Sequence, residues 1–166
     1  PGHECQVVGF DTQSKLTSCF ATGNEYTGFI ENSEGNIFAA GSYENGNSIC
    51  VYDLRDGFNG SDCCVLSITN PHKNEKTGKM GGGVTRLKFS ADGRALFSSA
   101  RKSNSILCWD LRANVNGSMF TNIQRPNVRS NAKTKFDIEP CEKRLVSGGD
   151  DSVLRCFDLD RDGKEV

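Results

Sequence analysis

The stretch "SNSILCWDLRAN" (103–114) contains the only tryptophan of the chain, Trp109, followed directly by Asp110. The residues before this pair are apolar on both faces of a β-strand, since side chains alternate between the faces along the chain. A strand that ends in a Trp-Asp pair is typical of the repeats that build β-propellers. If the pair belongs to such a repeat, related copies should recur in the sequence.

Two other segments align with this one, "SICVYDLRDG" (48–57) and "VLRCFDLDRD" (153–162). In each copy an aromatic residue precedes an Asp and a Leu follows it: Tyr52-Asp53, Trp109-Asp110 and Phe157-Asp158. The residues before each pair are mostly apolar at every position. We therefore expect all three strands to be buried on both sides, as in a blade between two neighbours.

Each copy also has a second strand upstream, which ends in small residues. These strands are "IFAAGSY" (37–43), "ALFSSAR" (95–101) and "RLVSGGD" (144–150). A first strand precedes the turn in the second and third copies, "VTRLKFS" (84–90) and "TKFDIEP" (134–140). In the first copy, either "LTSCF" (16–20) or "TGFIEN" (27–32) fits that place. Outer strands are expected at "CCVLSIT" (63–69) and "GSMFTNI" (117–123).

This repeated order of strands and turns predicts an all-β, WD-repeat β-propeller. The predicted blades cover about 16–69, 81–123 and 133–166. Three blades are too few to close a propeller, and the chain does not begin with Met, so we expect a part of a longer, seven-bladed propeller. A generic antiparallel β domain is the alternative, but it does not explain three matching copies.

The cysteines indicate a reducing compartment. The chain has eight of them, but no Cys-x-x-Cys pair, and Cys50, Cys108 and Cys156 fall inside apolar strands, where a thiol packs as a small hydrophobic group. We expect reduced thiols in the cytosol or nucleus.

The net charge of −1 hides an uneven distribution. Residues 72–135 contain 13 Lys and Arg but three acidic residues, and the rest of the chain contains 7 Lys and Arg but 18 acidic residues. The cations of the middle block fall mainly in predicted connections, where they could neutralise RNA phosphates. An acidic protein partner or simple solvation are the alternatives.

The sequence lacks the motifs of an enzyme. "GKMGGG" (78–83) resembles a phosphate-binding loop, but no Ser or Thr follows its Lys and a strand follows the glycines. His3 and His72 are expected to be exposed loop residues. We predict no catalytic activity, no metal and no cofactor.

The stretch "GGGVTRLKFSADGRALFSSARKSNSILCWDLR" (81–112) resembles one WD-repeat family, the telomerase Cajal body proteins, above all in its Ala-Arg-Lys turn and its Ile-Leu-Cys-Trp-Asp-Leu-Arg strand. "FAAGSY" (38–43) and "RSNAKTKFDIEPCEKRLVSGG" (129–149) are similar to the blades on either side. The resemblance implies a nuclear protein that binds box H/ACA small Cajal body RNAs and telomerase RNA, together with ribonucleoprotein proteins, and localises them to Cajal bodies.

On this interpretation, five residues of the basic block are candidates for RNA contact: Arg101, Lys102, Arg129, Asn131 and Lys133. Arg86, Lys88 and Arg125 are weaker candidates. Propeller repeats of this type often carry a Gly-His pair and a turn Asp in a buried polar network. The His is absent near 78–83, and Ser103 takes the Asp position, so we expect thin polar networks. A protein-interaction scaffold without RNA binding is the alternative function.

Overall fold

The computed structural model is built almost entirely of β-strands. It describes residues 6–10, 17–21, 27–32, 37–42, 48–53, 55, 64–69, 71–72, 82–112, 118–126, 128 and 134–166. In this part of the chain, no helix is long and apolar enough to cross a membrane.

Three antiparallel sheets of four strands follow one another along the chain. A two-stranded ribbon, β1 (Gln6–Phe10) and β2 (Thr17–Ala21), precedes them. The first sheet contains β3 (Thr27–Asn32), β4 (Ile37–Ser42), β5 (Ile49–Asp53) and β6 (Cys64–Ile68). The second contains β7 (Val84–Phe89), β8 (Ala95–Ala100), β9 (Ser105–Asp110) and β10 (Ser118–Gln124). The third contains β11 (Phe136–Ile138), β12 (Arg144–Gly148), β13 (Leu154–Asp158) and β14 (Lys164–Glu165).

This topology confirms the predicted order of strands. In each sheet, sequential strands are neighbours, and the aromatic-Asp strand is the third. The ambiguous first strand of the first copy is β3, which pairs with β4, whereas 17–21 pairs with 6–10 in the ribbon. The predicted outer strands are present as β6 and β10.

The Asp that ends the aromatic-Asp strand has the same local role in the first and second sheets. Asp53 accepts a hydrogen bond from the backbone N of Arg55, and Asp110 accepts one from that of Arg112, both at 2.9 Å. The guanidinium groups of the same arginines also bind these carboxylates. Hydrogen bonds from the arginine side chains are the main reason that the pKa of both Asp carboxyls falls to about 2. The Asp-Leu-Arg sequence therefore closes the turn that leaves the strand.

The first and second sheets share one hydrophobic cluster. Ile49, Ile68 and Ala39 of the first sheet pack in this cluster with Val84 and Leu87 of β7. Gly41 lies so close to this junction that an added Cβ would be 2.6 Å from Cγ1 of Val84. The close approach of β4 and β7 therefore requires glycine at position 41.

A second cluster joins the second and third sheets. Phe97 and Ile106 pack there with Phe136, Leu145 and Phe157. The third sheet departs from the expectation that each aromatic-Asp strand is buried on both sides, because Leu154 of β13 is 74% exposed. Among the described residues, β13 has a packed neighbour on only one of its faces, the face that carries Phe157.

The described cysteines agree with the prediction of reduced thiols. Cys108, Cys141 and Cys156 are free thiols. Cys108 is fully buried in β9, and its burial raises the pKa of the thiol to about 12. It therefore packs as a small apolar side chain.

Candidate nucleic-acid interface

Arg101 and Lys102 form the turn between β8 and β9. Lys102 is exposed and has a φ of 54°, in the left-handed region. Two backbone hydrogen bonds hold the turn against the residues that precede β7. The backbone N of Arg101 donates to the carbonyl of Gly83, and the backbone N of Gly82 donates to the carbonyl of Arg101. A Cβ on Gly82 would lie 2.6 Å from that of Arg101. The glycines before β7 thus allow the basic turn to pack closely against the chain.

We call this end of the second and third sheets the basic edge. It is formed by described residues 101–104, 125–126, 128 and 134–135, which lie where β8 and β10 end and where β9 and β11 begin. The turn between β12 and β13 lies at the same end and adds two acidic residues, Asp150 and Asp151, the second of which is paired with Arg155. Arg129, Asn131 and Lys133 lie outside the described residues, between Val128 and Thr134. Their role in RNA contact stays a prediction.

The residues just before that segment are anchored to the Arg101–Lys102 turn. The backbone N of Val128 donates to Oδ1 of Asn104 at 3.0 Å, and the backbone N of Arg125 donates to the carbonyl of Asn104 at 2.7 Å. Val128 is itself buried. Val128, the last described residue before 129–133, is therefore held by Asn104, which lies two residues after Lys102 in the sequence.

Arg86 and Lys88 project from β7 toward the third sheet. Nη2 of Arg86 lies 3.9 Å, and Nζ of Lys88 lies 3.5 Å, from the carboxylate of Asp137 on β11. Both cations are therefore engaged in ion pairs between neighbouring sheets. This arrangement favours a structural role for them over RNA contact.

Arg125 is a correction to the sequence-based expectation. Its side chain is 1% exposed, so it does not offer a surface charge to RNA. One Nη donates to the hydroxyl of Ser147 at 3.2 Å and the other to the carbonyl of Ser103 at 3.3 Å. Burial is the main cause that lowers the pKa of Arg125, to about 10. Arg125 joins the second sheet to the third.

His72 is a second correction, because it is buried rather than exposed in a loop. It is 5% exposed, and its Nε2 lies 3.1 Å from Oγ of Ser98. Its Nδ1 lies 3.2 Å from Oγ of Ser103. The indole Nε1 of Trp109 donates to the same Ser98 hydroxyl at 2.9 Å.

These four side chains, His72, Ser98, Ser103 and Trp109, form one buried network, and the prediction of thin polar networks was wrong for the second sheet. The network histidine does not lie near the glycine-rich segment 78–83 but farther upstream, at position 72. Desolvation, followed by the charge of Arg125, lowers the pKa of His72 to about 3. The imidazole is therefore neutral at physiological pH. Ser103 connects this network to the basic turn, because it follows Lys102 directly.

The chain is similar to part of a group of curated proteins, although no family model matches it. It is 31% identical to mouse Telomerase Cajal body protein 1 over 163 residues, which is 96% of this chain and 25% of the relative. Its identity to the human protein is 31% over 169 residues, which is 99% of this chain and 26% of the relative. The Telomerase Cajal body protein 1 homolog of Drosophila melanogaster is 33% identical over 85 residues, 49% of this chain and 15% of the relative.

The comparison with solved structures also finds a β-propeller. The structure matches the beta-propeller domain of Cps50 (Swd1) from Myceliophteria thermophila with a TM-score of 0.60, over 85% of this chain and 36% of that one. The sequence identity is 14%, so the match concerns the fold alone. The WD-repeat β-propeller fold is confirmed. The chain spans about a quarter of the length of the curated relatives. The resemblance to the telomerase Cajal body proteins, inferred from the residues of the chain, is thus confirmed over nearly its whole length.

Proposed function

We propose that this chain is part of a WD-repeat protein that binds RNA and localises box H/ACA small Cajal body RNAs and telomerase RNA to Cajal bodies. The predicted blades, 16–69, 81–123 and 133–166, would be successive blades of a longer, seven-bladed propeller, with the first blade beginning at β3 because 17–21 pairs with 6–10. The protein would act in the nucleus with ribonucleoprotein proteins. The names of the relatives, which contain both telomerase and Cajal body, support this assignment.

The observation that carries the proposal is the exposed Lys102, on a turn that backbone hydrogen bonds hold in place. Lys102 has no carboxylate within ion-pairing distance in the described part of the chain, whereas Arg55, Arg112 and Arg155 are each paired with an Asp. A cation without such a partner remains available for a phosphate. The fixed backbone of residues 101–104 lowers the entropy that would be lost when RNA orders the turn.

The five candidate residues have different roles in this proposal. Arg101, Lys102, Arg129 and Lys133 would contact phosphates, because cations supply the sequence-independent part of RNA affinity. Asn131 would contact a base edge in a single-stranded loop, where unstacked bases expose hydrogen-bonding groups.

The direct test is crosslinking of the full-length protein to RNA in cells, followed by sequencing of the recovered RNA. We expect box H/ACA RNAs, with crosslinks centred on one hairpin loop. The substitutions Arg101→Glu, Lys102→Glu and Lys133→Glu together should abolish this recovery, because each reverses a charge that faces phosphate.

A matched control is the pair Lys143→Glu and Arg144→Glu. These exposed, adjacent cations lie at the opposite end of the third sheet, where β12 begins. The control should recover RNA as the unmodified protein does. RNA recovery at background level from the unmodified protein would overturn the proposal and favour a protein scaffold. Equal loss in both variants would show that overall charge, rather than the basic edge, governs recovery.

A further inference from the structure

A groove runs between the second and third sheets at the end opposite to the basic edge. Its volume is about 540 Å³. The turns of residues 90–94 and 110–112 form one wall, and Ile138, Glu142 and Leu159–Asp160 form the other. This size lies within the range of roughly 300–1,000 Å³ that is typical of ligand-binding clefts.

The groove has an apolar floor and an exposed aromatic residue at its rim. Phe97, Ile138 and Leu159 belong to the cluster that joins the two sheets, and they line the groove. Phe120 on β10 also lines it and is 65% exposed. The register of β10 against β9 shifts between Met119 and Thr121, so Phe120 lies in a β-bulge. A bulge of this kind redirects a side chain out of the regular sheet.

The same bulge recurs in the first sheet, where Val65 lies between the register positions of Cys64 and Leu66. Val65 is 55% exposed, but it does not line the groove. The two sheets therefore display an apolar residue at matching positions, and of the two residues it is Phe120 that lines the groove between the second and third sheets. This difference supplies an internal control for the role of Phe120.

The polar rim of the groove is acidic on balance. Four carboxylates line it, those of Asp92, Asp110, Glu142 and Asp160, against two guanidinium groups, Arg94 and Arg112. Each guanidinium is already paired, Arg112 with Asp110 at 2.8 Å and Arg94 with Asp92 at 3.7 Å. The wall formed by the third sheet therefore contributes two negative charges, Glu142 and Asp160, that these arginines do not balance.

We propose that this groove binds a basic protein segment, in which a large apolar side chain stands beside Lys or Arg. The apolar side chain would pack on Phe97 and Phe120. The neighbouring cation would meet the carboxylate of Asp160. RNA does not fit this groove, because its phosphates would be repelled by the excess of carboxylates. Opposite ends of the same two sheets would thus hold partners of opposite charge, and the groove does not depend on the RNA site.

The test is selection of random short peptides, displayed on phage, on the full-length protein. We expect the selected peptides to be enriched in Lys or Arg next to an aromatic or large aliphatic residue. Phe120→Ser should weaken binding of a selected synthetic peptide by about tenfold or more, as expected for an aromatic residue at the centre of a contact. Asp160→Lys should also weaken it, and added salt should reduce the affinity.

Val65→Ser is the matched control, because it removes an apolar residue from the equivalent bulge without touching the groove. It should leave peptide affinity unchanged, as should Arg101→Glu with Lys102→Glu. Phe120 and Asp160 are exposed, so both variants are expected to fold. If the Phe120→Ser protein does not fold, Asp160→Lys still tests the groove. The proposal is overturned if no peptide is enriched, if acidic peptides are selected, or if RNA displaces the bound peptide. Equal affinity for the Phe120→Ser and Val65→Ser proteins would overturn it as well.

Discussion

The first and second sheets have the same strand order but different interiors. In the second sheet, Ser98 lies between the indole of Trp109 and the imidazole of His72. In the first sheet, Ala40 stands at the position equivalent to Ser98 and is fully buried. There, Tyr52 stacks on Phe38 with ring centroids 4.8 Å apart and the planes 7° from parallel.

The same four-stranded arrangement therefore contains a stacked aromatic pair in one sheet and a buried polar network in the other. A stacked aromatic pair gains from burial and from ring contact. A buried polar network needs every partner, because each unpaired donor or acceptor has lost its hydrogen bonds to water. The second sheet should therefore be more sensitive than the first to single polar substitutions.

The largest expected effect is that of Trp109→Ala. The substitution removes a buried ring of the cluster shared with the first sheet, and also the donor to Ser98, so we expect a loss of about 3–5 kcal/mol in the free energy of unfolding. Denaturant unfolding measures it. Trp109→Phe should cost less, because a ring stays in place and Phe157 occupies the equivalent position of the third sheet. Equal losses in the free energy of unfolding for the two substitutions would mean that the aromatic ring is not the source of the stability that Trp109 contributes.

Ser98→Ala tests the network itself. It leaves the indole N–H of Trp109 and Nε2 of His72 without their shared partner, and we expect a loss of about 1–3 kcal/mol. The reciprocal change, Ala40→Ser, places a hydroxyl among apolar neighbours and should also destabilise the protein. Thermal or denaturant unfolding compares them. A more stable Ser98→Ala protein would contradict the contrast between the two interiors.

The pH dependence of stability should report on His72. Its pKa is lowered in the folded protein to about 3, from an ordinary value of 6.5. The unfolded chain then binds a proton that the folded protein does not, so stability is highest above pH 6.5 and falls as the pH drops toward 3. The slope should be about 1.4 kcal/mol per pH unit for this one group.

The interval between about pH 5 and pH 6.5 isolates this effect. Asp53 and Asp110, whose pKa values are lowered from 3.8 to about 2, lower stability as the pH falls below about 5, where the unfolded carboxyls begin to bind protons. Unfolding measured across that interval should show a flatter dependence for His72→Gln than for the unmodified protein. Identical slopes would mean that His72 is solvated in the folded state.

The smallest expected effect concerns the surface. Asp137→Asn removes the partner of Arg86 and Lys88 between the second and third sheets. Because Asp137 is exposed, we expect a change of about 0.2–1 kcal/mol, which should shrink in high salt. A loss as large as that of Ser98→Ala would show that surface charges hold the sheets together as firmly as the buried network does.

Much of the fold could be predicted because it follows from local pattern. The aromatic-Asp pairs mark the ends of β5, β9 and β13, and the short apolar runs before these pairs indicate buried strands. The buried roles of His72 and Arg125 could not be predicted, since the two residues lie in polar segments that look like surface connections. Their burial depends on Ser98, Ser103 and Ser147, which are distant in the sequence.

The sequence by itself therefore determined the strands, their order within each sheet, the basic block and the resemblance to a WD-repeat family. The tertiary structure decided which charges face solvent and which are enclosed, and it brought the acidic groove and Phe120 together. The physical reason is that strand alternation and turn chemistry act over a few residues, whereas desolvation depends on which sheets pack together. Arg125 and Lys102 are both cations of the same basic block, yet packing leaves Lys102 at the surface and Arg125 in the interior.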